Sequence, residues 1–247
     1  MKHVASCSFG KDSMATIILA LENKEPIDLV LYAEVMFDEH VSGEIPEHAA
    51  FIYEKAIPRI ESWGIPVQVV RSSVTYKSSF YQTIKRSSVP ERIGKYRGFP
   101  IPGRCCINRD CKVAPIRKFL KDIPREELVQ YVGIAADERK RLKRLDGIHK
   151  TSLLDRYHVT EKEAKEICRE NGLLSPIYEF TTRGGCWFCP NCRAGELRHL
   201  AIKHPELLEK LKELDFEKNR VSLKFNRTET LEEICRRISS EVRNGKE

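Results

Sequence analysis

Six residues near the start of the chain, Ser8-Phe9-Gly10-Lys11-Asp12-Ser13, have the composition of an oxyanion cradle. An apolar run, His3-Val4-Ala5-Ser6-Cys7, precedes them, and Met14-Ala15-Thr16-Ile17-Ile18-Leu19-Ala20-Leu21 follows. That pattern predicts strand, tight turn and helix. A turn placed there aims backbone N–H groups and the positive end of the helix dipole at one point. Ser8 and Ser13 add hydroxyl donors, Gly10 permits close backbone approach, and Lys11 adds positive charge. A phosphate chain is the simplest ligand. Turns of this composition also join strands to helices with no ligand, so the motif does not select between the two. It is not the Walker arrangement, because the second glycine and the Gly-Lys-Ser/Thr ending are missing.

The second chemical feature is sulfur. Nine cysteines in one chain point to metal or redox chemistry more than to a disulfide framework in a cytosolic protein. Cys186-Trp187-Phe188-Cys189-Pro190-Asn191-Cys192 is a C-x2-C-x2-C run behind Arg183-Gly184-Gly185. Two cysteines three apart on a tight turn can present both sulfurs to one metal. One ion or cluster takes four ligands, and this run supplies at most three. Cys105-Cys106-Ile107-Asn108-Arg109-Asp110-Cys111 is the expected source of the remainder. Sulfur ligands satisfy both zinc and a four-iron four-sulfur cluster, so spacing leaves both open. Arg104, Arg109, Lys112 and Arg183 are cations that could lower thiol pKa values, or could simply solvate a loop. Cys7, Cys168 and Cys235 read as ordinary buried thiols.

The elements that must position these groups follow from periodicity. Strands are predicted at 3–8, 28–35, 67–70 and 128–134, with helices at about 12–23, 46–63 and 111–121 between them. This alternation predicts an α/β, Rossmann-like fold with a parallel sheet and helices on both faces. Ligands then bind at the carboxyl ends of the strands, where Ser8–Ser13 falls. Residues 72–104 break the alternation as a lid-like excursion rich in Ser, Lys and Arg. Beyond Asp137 the chain becomes helical. Thr160-Glu161-Lys162-Glu163 is a capping box opening a helix to about Asn171, and helices are expected at 195–213 and 230–242. The expected domains are 1–180, an α/β nucleotide-binding part, and 181–247, the cysteine motif with its helices.

The 247 residues carry a formal net charge of +7 and are 41% hydrophobic. The excess charge gathers in Lys85, Arg86, Arg92, Lys95 and Arg97 and in Arg139-Lys140-Arg141-x-Lys143-Arg144. Such runs admit nucleic-acid or phosphate-bearing partners without selecting them over a solvated surface. No apolar run approaches the roughly 20 residues of a membrane span, and no signal peptide is read at the start. No membrane partner and a cytoplasmic location are the expectation.

These segments resemble, in order, one known family. Ser8–Ser13 is similar to the PP-loop, Ser-Gly-Gly-x-Asp-Ser, of the adenine nucleotide α-hydrolase superfamily, with Phe9 in place of the first glycine. Cys106 with Cys111-Lys112-Val113-Ala114-Pro115 resembles the Cys…Lys-x-x-Pro segment of the phosphoadenosine phosphosulfate reductase family. Gly133-Ile134-Ala135-Ala136-Asp137-Glu138 resembles its Gly-Ile-x-x-Asp-Glu stretch. Ser175-Pro176-Ile177-Tyr178 and Gly185–Pro190 resemble a branch found in phages and bacteria. The resemblance spans residues 6–192.

The resemblance implies an adenine nucleotide α-hydrolase-like fold that binds ATP or a sulfated adenine nucleotide with Mg2+. Ser8, Gly10, Lys11, Asp12, Ser13, Asp38, Gly133 and Arg139 would hold the nucleotide, Asp38 on its ribose or adenine side. Lys11, Asp12 and Asp137 would serve catalysis. The expected sulfur ligands are Cys106, Cys111, Cys186 and Cys189, with Cys105 and Cys192 in reserve. The expected reaction is adenylation of an acceptor, nucleic acid or small molecule, followed by sulfur transfer from a donor. A thiol-dependent sulfonucleotide reductase, served by a thiol reductant protein, is the first alternative. Those reductases carry a terminal Glu-Cys-Gly-x-His element, and the stretch Arg236–Glu241 reads Arg-Arg-Ile-Ser-Ser-Glu instead. A non-catalytic zinc-knuckle module that binds nucleotide or nucleic acid is the second.

Overall fold

The computed structural model describes residues 1–103 and 105–243; Arg104, one of the cations expected near the thiols, lies outside the described residues. The chain forms two compact units. The first comprises Met1–Glu34, Ile45–Arg71 and Val113–Glu179, and the second Val35–Glu44, Ser72–Lys112 and the chain from Phe180 onward. One seam between the units falls between Glu179 and Phe180. The 72–104 excursion and residues 35–44 fall with the cysteine-rich part rather than with the sheet, because long-range pairing claims them.

The first unit is α/β. Its strands are β1 (Lys2–Ser6), β2 (Leu29–Glu34), β3 (Val67–Arg71), β4 (Leu128–Val132) and β5 (Lys150–Thr151), all parallel, in the order β3-β2-β1-β4-β5. The order reverses at β1. The chain runs outward through β2 and β3, then returns to lay β4 on the other side of β1. Ligands of open α/β sheets bind at such a point. β2 is buried at every position, as expected of a strand covered on both faces. Val4, Leu29 and Leu31 pack with Leu120 on one face, and Ala5, Val30 and Tyr32 join a larger core on the other.

Helix α1 (Lys11–Glu22) follows β1 and packs on two later helices, α4 (Leu153–Arg156) and α5 (Glu161–Glu170). The helix expected at 46–63 forms as α2, which begins at Pro46–Ala50, widens to a π-helical stretch at Phe51–Ala56, and ends at Ile57–Ser62. Pro58 explains the widening, since it lacks an N–H and its ring crowds the carbonyl of Glu54. Helix α3 (Ala114–Leu120) lies against β2 and β3.

In the second unit Tyr96–Gly98 pairs in parallel with Arg220–Ser222. Helices α6 (Ala194–Lys203), α7 (Pro205–Asp215) and α8 (Leu231–Arg243) pack together. The single helix expected at 195–213 is therefore two. Pro205 opens α7, and His204 before it is forced out of the helical region to φ −136° and ψ 55°. No helix among the described residues is long and apolar enough to cross a membrane.

Candidate functional site

The Ser8–Ser13 turn lies at the carboxyl end of β1, where the sequence places it. Gly10 is the cap residue of α1 and offers no side chain to it, and the first helical N–H, that of Lys11, is taken by Tyr178 Oη at 2.8 Å, so an anion at this end meets a helix start that the tyrosine already partly covers. The loop is held from within. Ser8 N–H donates to Ser13 Oγ at 3.2 Å, and Ser13 Oγ donates to the Gly10 carbonyl at 3.0 Å. The Ser13 hydroxyl is thus structural, whereas the Ser8 side chain is exposed. Phe9 has φ +57°, the left-handed conformation that glycine favours, and its ring is fully buried edge-on to Tyr32.

Gly133, just past β4, closes the far side. A Cβ there would lie 2.6 Å from Ser13 N and 2.7 Å from the Asp12 carbonyl carbon. Only glycine lets the end of β4 approach the first turn of α1 this closely.

Lys11 is buried and its Nζ meets Asp12 Oδ1 at 2.7 Å and Glu161 Oε1 at 2.9 Å. Burial pulls the ammonium pKa down, but the hydrogen bonds and charges of the two carboxylates outweigh it and hold it above its ordinary value. Asp12 shifts upward. Burial is the main cause, Lys11 opposes it, and Glu161 and Glu138 add to it. Carboxylate oxygens of Asp12, Glu138 and Glu161 lie within 4.8 Å of one another, oxygen ligands of the kind Mg2+ takes.

Glu138 and Glu161, not Asp137, thus stand with Asp12. Asp137 is exposed, and its Oδ1 accepts the Glu161 N–H at 3.1 Å, fixing the start of α5. Arg139 is exposed at the head of a single helical turn. Asp38 lies in the second unit, where its carboxylate accepts the N–H groups of His40 and Val41 at 2.9 and 2.8 Å.

Sequence reasoning missed Glu161, which reads there only as part of a capping box. It also gave Tyr178 no role. Tyr178 Oη accepts the Lys11 N–H at 2.8 Å, and burial pushes its phenol up to about 12, so it stays a donor. Buried His48 joins Ser175 Oγ at 2.8 Å through Nδ1, with Nε2 3.3 Å from the Ser8 carbonyl.

The second unit contains a cavity of about 640 Å3 lined by Cys105, Cys106, Cys186 and Cys189, with Arg109, Lys112 and Arg183 among its walls. Three of the four expected ligands are there. Cys111 is not, since its fully buried Sγ donates to the Val74 carbonyl at 3.1 Å and burial pushes its pKa to about 12. Cys105 stands in its place. A hydrogen bond from Cys192, with Arg183 close by, pulls the Cys189 thiol pKa down. Burial pushes Cys186 to about 12, against the pull of Lys112. Among the described residues no three of these sulfurs lie within 4.8 Å of one another. A tetrahedral zinc ion, with bonds of about 2.3 Å, needs sulfurs roughly 3.8 Å apart.

No family model matches the chain. An uncharacterized protein of Methanocaldococcus jannaschii is 25% identical over 217 residues, covering 82% of this chain and 39% of the relative. The chain spans about two fifths of that relative's length.

Proposed function

We propose that the chain is a PP-loop enzyme of the phosphoadenosine phosphosulfate reductase family, which binds ATP or a related adenine nucleotide and adenylates an acceptor for sulfur transfer. The observation that carries the reading is the approach of Gly133 to Ser13 and Asp12, which sets the start of α1 against the strand end at the switch point. An anion of phosphate size suits that cradle. Lys11 and the α1 amides stabilise charge on the departing pyrophosphate. Asp12, Glu138 and Glu161 would hold Mg2+ through carboxylate oxygens, and the ion would supply charge neutralisation on the phosphates. An acceptor oxygen attacks the α-phosphorus, the bond to the bridging oxygen breaks, and pyrophosphate leaves with that oxygen. A sulfur or nitrogen donor then displaces AMP. Because Lys11 rests between two carboxylates, nucleotide binding has to draw it away from them.

Cys105, Cys106, Cys186 and Cys189 would hold a thiolate-ligated metal group, which supplies electron transfer or a structural anchor when bound. Four cysteines lining one cavity are a donor set that suits a four-iron four-sulfur cluster or a zinc ion. The adjacent pair Cys105–Cys106 also favours a second reading, sulfonucleotide reduction, because cluster-bearing reductases of the family carry such a pair.

Calorimetry on the reduced, metal-intact chain tests the main reading. ATP or a non-hydrolysable mimic should bind, pyrophosphate should be released, and Asp12→Ala should lower both at least tenfold. No association with ATP or with 3′-phosphoadenylyl sulfate overturns the proposal. Sulfite release from the sulfated nucleotide with thioredoxin selects the second reading. Anaerobic purification with metal analysis and an absorption spectrum identifies the metal group: a broad visible band with iron, or colourless zinc.

A further inference from the structure

We propose that the Tyr76 hydroxyl donates a hydrogen bond to a sulfur of the metal-bound thiolate group in the cysteine cavity, as a positioning residue for that centre. The inference rests on the reading that the cavity holds such a group. Tyr76 opens the short helix Tyr76–Phe80, which a capping box at Thr75 and Ser78 starts. Its backbone N–H bonds the Met36 carbonyl at 2.9 Å. Its ring lies 4.1 Å from that of Phe188 and 5.6 Å from that of Phe37, with Trp187 against both of those rings. The residue is 1% exposed, and among the described residues its Oη has no hydrogen-bond partner.

A buried tyrosine ordinarily finds a partner for its hydroxyl, and one left unpaired loses its water with no return. Phenylalanine would fill this aromatic cage equally well. Phe188, whose ring lies 4.1 Å from that of Tyr76, directly precedes Cys189 in the chain, and burial first, then Cys105, Cys106, Cys189 and Cys192, hold the phenol above its ordinary range. As thiols they are weak acceptors, whereas as metal-bound thiolates they accept charge-assisted bonds. The partner therefore comes into being when the cysteines deprotonate onto metal. Ser79, three residues along the same helix, points the same way. Its Oγ lies 3.5 Å from Cys106 Sγ and accepts from Arg97 at 3.0 Å. Residues three apart share a helix face, so Tyr76 stands on the face from which Ser79 reaches Cys106, and of the two hydroxyls only that of Ser79 is already bonded.

The test uses the full chain purified without oxygen as wild type, Tyr76→Phe and, as a control, Tyr81→Phe. Metal per chain, the rate of metal loss to a chelator, and Tm in metal-free and metal-loaded forms are measured. Tyr76→Phe should load metal fully yet lose it at least tenfold faster, the scale of a lost outer-shell partner. Its Tm should fall in the loaded form only, and equal or exceed wild type when metal-free, because an unpaired hydroxyl has been removed. If the metal is iron, its reduction potential should also drop, since a donor to sulfur stabilises the more negative, reduced state. Tyr81→Phe should move none of these. Unchanged metal loss in Tyr76→Phe, or an equal Tm loss in both forms, overturns the inference. A wild-type chain that holds no metal overturns the cavity reading itself, an outcome visible without any variant.

Discussion

At the residue scale, Gly133 and Phe9 decide the shape of the anion cradle by opposite means. Gly133 works by having no side chain. The atoms that an added Cβ would strike are backbone atoms of Asp12 and Ser13, which cannot swing aside. Gly133→Ala should cost about 1–3 kcal/mol as overpacking, read from the urea midpoint. It should also weaken nucleotide binding at least tenfold in calorimetry. Phe9 works by having a large one. Its φ of +57° would suit glycine, and relieving that strain returns roughly 1–2 kcal/mol. Losing a fully buried phenyl ring costs about 3–5 kcal/mol, so burial wins. Phe9→Gly should therefore destabilise the chain by about 2 kcal/mol, although it restores the glycine of the PP-loop pattern.

At the element scale, short polar contacts set where helices and strands begin. Thr160 Oγ1 accepts the Glu163 N–H at 3.3 Å, and Glu163 Oε2 accepts the Thr160 N–H at 2.8 Å. This box starts α5 and so places Glu161 beside Lys11. Thr160→Ala should cost about 1 kcal/mol in urea unfolding. Asp146 does the same for β5. Its Oδ1 accepts the N–H groups of Ile148, His149 and Lys150 at 3.1, 2.9 and 2.7 Å. The Lys150 bond is the main reason that its carboxyl falls from 3.8 to about 2. A group with a depressed folded pKa stabilises the fold above its unfolded value, and that support goes as pH falls through the folded one. The turn before β5 should stay intact down to pH 3.8 and loosen as pH approaches 2. A carboxyl-carbon NMR titration with a midpoint near 3.8 would contradict this, and Asp146→Ala should speed amide exchange at Lys150 above pH 3.8, with the difference from wild type shrinking as pH approaches 2.

At the scale of the whole molecule, the chain divides into two compact units with separate candidate ligands. A ligand stabilises the unit that binds it by mass action, by about 2.7 kcal/mol at a hundredfold excess over Kd. Calorimetric unfolding should therefore show two transitions. ATP should raise one, and a chelator under reducing conditions should lower the other. A single transition moved by both would mean that the units unfold as one.

The sequence determined what neighbouring residues can encode. The strand–turn–helix around Ser8–Ser13, the alternation that builds the sheet, the Thr160 capping box and the cysteine pairs were all readable, because each depends on residues a few positions apart. Tertiary structure decided what depends on distant partners. Glu161 meets Lys11 across 150 positions and Tyr178 meets it across 167. Tyr96–Gly98 finds Arg220–Ser222 only through packing. Among the six clustered cysteines the sequence favoured Cys106, Cys111, Cys186 and Cys189, and only the fold shows which of them line the cavity. Cys111 turned its sulfur to a backbone carbonyl while Cys105 faced the cavity. A thiol's direction is set by which neighbours exclude water around it, and that is a property of the folded chain.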